Sequence, residues 1–458
     1  MKTRSARKTA LVYGIGIAGD ALARQLVKHG WRVLVADDDA TDKKRAMAQA
    51  VGAMLVEQPD VAAIQKLVEQ SQMVCPAPGV PENHAVIAAA VAAGVSIRTE
   101  IDLAYEWEQE RAQGPRPIVA ITGTDGKTTT TMLVAHILTA AGHRAAAVGN
   151  TEIPFAAALE DDVEVFAVEC SSFRLNWLYS FRAEAAVWLN LAPDHQNWHT
   201  SLAAYETAKA RIWEHRRATD VAIGFADDPI VMHNLRAAGG ITRTFAARDA
   251  DYFVADDHLV GPNGVIAAVS SMTRNLPHDL TNALAAAALV LESGLADAAD
   301  VATALATFRH PPHRIEPVGE IDGVRWFNDS KATSPHAALT AIRSFDRVVL
   351  LAGGLNKGLD LSSLATEKDH IKAVIGLGSS AADITHAFDG IRPTSVAHSM
   401  KEAVSMADDL AIAGDVVLLS PACASFDWYP SGGYPARGDD FRQLVEELAV
   451  RPKEVRNG

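Results

Sequence analysis

The chain has 458 residues, too many for one ordinary hydrophobic core, so two to four domains are expected. Apolar residues make up 48% and charged residues 21%, the balance of a soluble globular protein. A formal charge of −14 excludes a general nucleic-acid binder, which needs a net basic face, but leaves room for an anionic small substrate held by local lysines and backbone amides.

The basic start MKTRSARK and the apolar run Thr9–Ile17 resemble the first two regions of a secretory signal. Gly14, Gly16 and Gly19 break that run, and a charged helix, Asp20–His29, follows directly, so the segment reads as a first strand and glycine turn. No stretch approaches membrane-spanning length. Strands Ala10–Tyr13, Arg32–Ala36 and Met73–Cys75 alternate with alanine-rich helices to about residue 99. GIGIAG at Gly14–Gly19, with Asp37 and Asp38 closing the next strand, reads alone as a dinucleotide fingerprint whose acid reaches a ribose. The polar, proline-bearing stretch Glu108–Pro117 reads as a connection. Cys75, Cys170 and Cys423 are scattered, with neither disulfide nor zinc spacing, which points to a reducing compartment.

The second segment opens on IVAITGTDGKTTTT, Ile118–Thr131. An apolar strand, a glycine turn, Lys127, Thr128 and a helix follow one another. Gly123 and Gly126 let backbone N–H groups approach an anion, Lys127 supplies a point charge for outer phosphates, and the Thr128 hydroxyl suits Mg²⁺. The spacing departs from the usual P-loop, because Ile121 stands where the first glycine belongs. Strands Val163–Glu169 and Ala185–Asn190, a helix over Ser201–Arg217, a β-type region Ile241–Val269 and a helix Thr281–Glu292 complete the segment. Ligands of open α/β sheets gather beyond the carboxyl ends of strands. Lys127, Thr128, Glu169 (in ECSSF), Asp194 and His195 (in LAPDH) should therefore share one edge. Oxygen ligands plus phosphate suit Mg²⁺. Glu169 could alternatively cap the next helix, and His195 could be a hydrogen-bonded loop histidine.

Pro311-Pro312 marks the next boundary. Beyond it, strands Val324–Phe327, Arg347–Ala352, Ala373–Leu377 and Val416–Ser420 alternate with helices. Such alternation throughout implies an α/β protein with mainly parallel sheets. NDSKAT, GGLNK and SPACAS each follow a strand, which brings Lys331, Lys357 and Ser425 to one edge suited to a dicarboxylic amino acid. Lys331 could instead neutralise an ATP phosphate.

TGTDGKTT, ECSSF, NLAPDH and AKARIW resemble successive motifs of the Mur ligase family, ATP-dependent carboxylate–amine ligases that assemble the peptidoglycan peptide. HPPHRIE, NDSKATSPHA, GGLNKG and LLSPACASFDWY resemble the branch that adds glutamate to UDP-N-acetylmuramoyl-L-alanine. The likeness covers nearly the whole chain in order. It implies three domains: a Rossmann-like UDP-sugar domain (1–99), a central P-loop-type ATP domain (100–310) and a Rossmann-like amino-acid domain (311–458). It also implies that Lys127, His195, Lys209 and Lys331 carry the chemistry. Gly123, Thr124, Gly126, Lys127, Thr128, Thr129, Asn282, Arg314 and Asp329 would hold ATP. Gly14, Gly16, Gly19, Asp37, Asp38, Pro78, Gly79 and Asn150 would hold the UDP-sugar, and Lys331, Thr333, Lys357, Ser425 and Tyr434 the amino acid. Thr128, Glu169, His195 and a carbamylated Lys209 would serve two Mg²⁺ sites; without the resemblance, Lys209 reads as a helix-surface lysine. The expected partners are small molecules only, with no nucleic acid and no membrane insertion, in a cytoplasmic monomer.

Several positions depart from the family pattern: Ala77 for serine, Thr151-Glu152 after Asn150, Arg174 for glutamine, Asp279 for asparagine, and Tyr434 for phenylalanine after the insertion Pro430–Gly433. None removes a group that carries the chemistry; they bear on fine substrate contacts, including the choice of D- or L-glutamate. The rival readings are a sister ligase using L-glutamate, another amino acid or a folate, a nicotinamide-dependent oxidoreductase built on GIGIAG, and a nucleotide sensor without turnover.

Overall fold

The computed structural model describes residues 8–195 and 198–450, and the chain divides into two compact units. One comprises Met1–Asn275 with Asp279–Phe308; the other comprises Leu276–His278 with Arg309–Gly458.

The first unit holds two parallel sheets. The first sheet is built from β1 (Thr9–Tyr13), β2 (Arg32–Asp37), β3 (Leu55–Glu57), β4 (Met73–Pro76) and β5 (Ser96–Ile97), in the order β3-β2-β1-β4-β5. All five residues of β1 are buried, and its side chains alternate between two cores: Ala10 and Val12 on one face, Leu11 and Tyr13 on the other. The charged helix begins at Ile17, earlier than expected, and ends at Lys28. Chain order reverses at β1, so the turns after β1 and β4 flank a crevice.

The second sheet contains β6 (Ile118–Thr122), β7 (Ala145–Gly149), β8 (Val165–Glu169), β9 (Ala185–Trp188), β10 (Val221–Phe225) and β11 (Ile241–Phe245), in the order β11-β10-β9-β6-β8-β7, again all parallel. Val119 and Ile121 of β6 enter one core, Ile118 and Ala120 the other. Each such fully buried Val or Ile side chain is worth about 1.5–3 kcal/mol, which fixes the register that sets the strand ends. A small antiparallel sheet of β12 (Phe253–Ala255), β13 (His258–Gly261) and β14 (Gly264–Ala268) follows. The helix expected from Thr281 starts at Pro277 and runs to Glu292, with Ala283–Val290 wholly enclosed.

The helix expected over Ser201–Arg217 is shorter. It spans Leu202–Ala210, opens on the Ser201 cap and tightens into a 3₁₀ turn, Arg211–Trp213. That turn swings Trp213 inward, where its indole N–H donates to the Ala186 carbonyl at 3.0 Å.

The polar connection is pinned to its surroundings. Helix Glu100–Gln109 sends Leu103 into the first-sheet core and Ile101, Ala104 and Tyr105 into the second. Arg116, 6% exposed, donates to both Glu108 oxygens at 2.9 and 2.6 Å and to the carbonyls of Leu159, Asp161 and Val163.

The second unit holds one sheet of β15 (Glu316–Ile321), β16 (Val324–Asn328), β17 (Val348–Gly353), β18 (Ile371–Leu377), β19 (Thr394–Val396) and β20 (Val416–Ala422), ordered β15-β16-β20-β17-β18-β19. Strand β15 is antiparallel to β16, and the other pairs are parallel. The β15–β16 hairpin turns on Asp322-Gly323, both at positive φ (51° and 79°). Asp-Gly is the dipeptide such two-residue turns favour. Among the described residues, no helix is long and apolar enough to cross a membrane.

Candidate active site

The turn after β6 is shaped by its glycines. Gly126 adopts φ +82° at the start of helix Lys127–Ala140, and a Cβ there would sit 2.7 Å from Asn282 Oδ1. No side chain caps this helix, so its first N–H groups and the positive end of its dipole face outward, the arrangement that binds phosphate. The turn is braced from β9. The Asn190 side-chain oxygen accepts the N–H groups of Thr124 and Asp125, both at 2.9 Å. The Thr124 hydroxyl is occupied by Ala192 and Tyr205. Of the expected ATP residues in this unit, Thr124 and Asn282 therefore shape the cradle, while the N–H groups of Gly126, Lys127, Thr128 and Thr129 line it. Asn190, which sequence reasoning passed over, sits inside the quoted NLAPDH motif.

Lys127 folds back, its ammonium donating to the carbonyls of Gly123 at 2.9 Å and Thr124 at 2.7 Å. Lys209 is 1% exposed, not on a helix surface, and donates to the same Gly123 carbonyl at 2.6 Å, with its nitrogen 4.5 Å from the Tyr205 ring centroid. Burial, and then the neighbouring Lys127 charge, push the Lys209 amine well below its ordinary pKa; Asp194, Asp125 and Glu169 pull the other way.

Glu169 closes β8 and is 1% exposed. Its Oε1 accepts from the Asn150 amide at 3.1 Å, while Oε2 is buried with no hydrogen-bond partner. An orphaned carboxylate oxygen beside a phosphate cradle fits an oxygen-seeking divalent cation. Among the described residues, no three His, Cys, Asp or Glu side chains form a closed metal cage, so any Mg²⁺ here would rely on phosphate and water for its remaining ligands. Asn150 lies against Glu169 through its backbone as well, its N–H donating to the Glu169 carbonyl at 2.9 Å.

His195 adopts φ +54°. Its ring packs against Phe173 at 4.6 Å and lies 3.4 Å from an Asp194 oxygen. Desolvation, with Lys127 and Lys209 adding to it against the pull of Asp194, takes the imidazole down to about 4, so it is neutral at physiological pH. The order β9-β6-β8 thus brings Lys127, Thr128, Glu169, His195 and Lys209 to one sheet edge.

In the first-sheet crevice, Gly14 (φ +88°) and Gly19 crowd one another: a Cβ on Gly19 would meet the Gly14 carbonyl oxygen. Asp37 accepts the Ile15 N–H at 2.8 Å and pairs with Lys44 at 2.7 Å. The acid of the dinucleotide fingerprint is therefore turned onto its own glycine turn, which argues against a ribose contact of the nicotinamide kind. Asp38 is held by the Tyr13 hydroxyl at 2.5 Å and His84 Nε2 at 3.0 Å. A narrow cleft is lined by Gly19, Ala77, Pro78, Thr99, Glu100 and Arg174. Gly16 and Gly79 have open space where a Cβ would go.

Two of the departures are charged side chains held in ion pairs. Arg174 forms a buried ion pair with Glu100, and Asp279 makes a bidentate pair with Arg274, 2.7 Å on each arm.

In the second unit, the turns bearing Lys331 and Thr333, Lys357, and Ser425 follow β16, β17 and β20, which are adjacent and parallel. Arg437 ties two of them together, donating to Ser330 O at 2.8 Å and Cys423 O at 3.1 Å. Burial takes this guanidinium down to about 10. The Lys331 ammonium lies 5.0 Å from the Tyr434 ring centroid, Lys357 is exposed and Ser425 is buried. Asp329 accepts from the Ser420 hydroxyl at 2.7 Å and the Ile315 N–H at 3.2 Å, and Arg314 sits between His313 and Ile315, both at positive φ.

Two nucleotide-type parallel sheets and a third, mainly parallel sheet with its own loop edge define a multidomain α/β enzyme architecture. The Mur ligase MurD-like N-terminal domain matches residues 8–99, the Mur ligase middle domain residues 121–290, and the Mur ligase glutamate ligase domain residues 313–423. A UDP-N-acetylmuramoylalanine--D-glutamate ligase from Frankia casuarinae is 40% identical over 451 residues, spanning 95% of this chain and 93% of that one. One from Streptomyces avermitilis is 36% identical over 477 residues, spanning 97% and 99%. Among solved structures, a UDP-N-acetylmuramate-alanine ligase from Thermotoga maritima superposes with TM-score 0.59 at 19% identity, over 97% of this chain and 100% of that one, a likeness of fold. The chain belongs to the Mur ligase family.

Proposed function

We propose that this protein is an ATP-dependent ligase that joins D-glutamate to UDP-N-acetylmuramoyl-L-alanine, a step in building the peptidoglycan peptide and hence in cell shape and division. The observation that carries this reading is the sheet edge where an uncapped helix start, Lys127, Glu169, His195 and buried Lys209 meet. The nearly full-length likeness to D-glutamate ligases supports the choice of substrates.

The terminal carboxylate of the sugar nucleotide attacks the γ-phosphate of ATP, giving an acyl phosphate and ADP. The glutamate amine then attacks that carbonyl, and the tetrahedral intermediate expels phosphate. No protein nucleophile is needed; the barrier falls by positioning two anions and offsetting their charge. Segment 1–99 takes the UDP-sugar through Gly14, Gly16, Gly19, Asp38, Pro78 and Gly79. Segment 100–310 takes the triphosphate on the turn Gly123–Thr129, and Lys127 swings from its carbonyl acceptors to the outer phosphates. Segment 311–458 takes glutamate through Lys331, Thr333, Lys357, Ser425 and Tyr434. Mg²⁺, held by Glu169, Thr128 and His195, would supply charge neutralisation at the phosphates. A buried lysine with a depressed pKa is an amine able to add CO₂, which supports carbamylation of Lys209 as a further metal-facing anion. The protein works as a cytoplasmic monomer.

Phosphate release is measured with UDP-N-acetylmuramoyl-L-alanine, ATP and each glutamate enantiomer. Turnover with D-glutamate alone is expected; turnover with L-glutamate or another amino acid alone would hand the site to a sister ligase.

A further inference from the structure

Three loops from different strands meet in one hydrogen-bonded chain beside the site. Glu82, in the turn after β4, accepts from His199 Nδ1 at 2.9 Å through Oε1, and from the Thr200 N–H at 3.1 Å through Oε2. His199 Nε2 lies 2.9 Å from the Ser172 hydroxyl, at the end of β8. His199 and Ser172 are 3% and 2% exposed, so their link is closed to water, whereas Glu82 is half-buried and Thr200 exposed. The Glu82 N–H donates to the Trp198 carbonyl at 3.3 Å, and the Trp198 indole N–H to the Pro78 carbonyl at 2.9 Å.

The chain has a direction. A carboxylate only accepts, so His199 Nδ1 carries the proton that faces Glu82. The neutral ring then accepts at Nε2, and the Ser172 hydroxyl must donate to it. The same tie reaches His195: the N–H groups of Trp198 and His199 both donate to the His195 carbonyl, at 2.9 and 3.0 Å, and Phe173 packs on the rings of both His195 and His199.

We infer that Glu82 and His199 are positioning residues that couple occupation of the Pro78–Gly79 turn by the sugar nucleotide to the placement of His195 and the β8-end hydroxyls at the phosphate site. The inference rests on the substrate assignment above, since the Pro78–Gly79 turn must carry the sugar nucleotide. Movement of that turn is passed through Glu82 and the Trp198 indole to the loop that bears His195. Glu82→Gln breaks the pattern with little change in shape. The amide must present N–H either to Thr200, where it faces the backbone N–H at 3.1 Å and finds an acceptor only in the hydroxyl at 3.4 Å, or to His199, where the ring must reverse its tautomer and Ser172 loses its acceptor.

The test is a coupling measurement. The Kd of a non-hydrolysable ATP analogue with Mg²⁺ is determined by calorimetry with and without saturating UDP-N-acetylmuramoyl-L-alanine, for the parent, Glu82→Gln and Ser172→Ala. The parent should show a coupling ratio of about fivefold or more, and both variants a ratio near one, with the Kd for the analogue alone within about twofold of the parent. A purely structural role would shift both Kd values together and leave the ratio intact. An unchanged ratio in both variants, or a parent ratio of one with both ligands bound, overturns the inference and leaves the substrate assignment standing. A parent that binds the analogue but not the sugar nucleotide overturns the substrate assignment, and the inference falls with it.

Discussion

Lys127 and Lys209 converge on a single acceptor, the Gly123 carbonyl, at 2.9 and 2.6 Å. Two ammonium groups on one oxygen repel, and burial together with the Lys127 charge pushes the Lys209 amine well below its ordinary pKa. On the proposed reading, Lys127 would leave for a phosphate and Lys209 would react as an amine.

Lys127→Ala should lower substrate-dependent phosphate release by about 10²–10³-fold, the usual loss when one preorganised charge is removed from a transition state. Normal release by this variant, with all substrates present, would defeat the assignment of the triphosphate site.

Lys209 should carry a carbamate when CO₂ is available. Activity should fall after exhaustive equilibration in CO₂-free buffer and return with bicarbonate, with a carbamate carbon visible by ¹³C NMR in the labelled protein. Lys209→Met should show neither the dependence nor the signal.

Gly126→Ala should cost about 1–2 kcal/mol for the left-handed backbone alone, with a further penalty from the contact with Asn282. Gly142→Ala, at φ +90° with nothing within 4 Å, isolates the backbone share. Equal losses in thermal denaturation would show that the Asn282 contact is inconsequential.

In the metal-free protein, His195 should titrate near 4 by NMR. An unfolded chain takes up that proton near 6.5, so between about 4 and 6.5 the unfolded state binds more protons and stability rises with pH. His195→Asn should flatten that part of the stability profile.

Arg437→Met should strand the buried carbonyls of Ser330 and Cys423, at about 1–3 kcal/mol for each acceptor left unsatisfied. It should raise KM for glutamate more than it lowers kcat.

Strand alternation and motif order made the fold class readable in the sequence, because buried parallel strands are near-continuous apolar runs. The antiparallel β15 escaped because Glu316, Pro317, Gly319 and Glu320 break its apolar run, although Asp322-Gly323 marked the hairpin. Lys209 read as a surface residue because helix Leu202–Ala210 has no clear apolar stripe, and only tertiary packing encloses it. Asn190 and Arg437 were equally hidden. Each bonds to backbone groups brought near by other strands, and no local pattern records that.

The Glu108–Arg116 clasp changes what the stretch between them is for. Composition marks it as slack chain, yet a domain exchange cut between Glu108 and Arg116 would leave the buried guanidinium without its carboxylate, at about 3–5 kcal/mol. A junction for such an exchange therefore belongs before helix Glu100–Gln109, not inside the clasp.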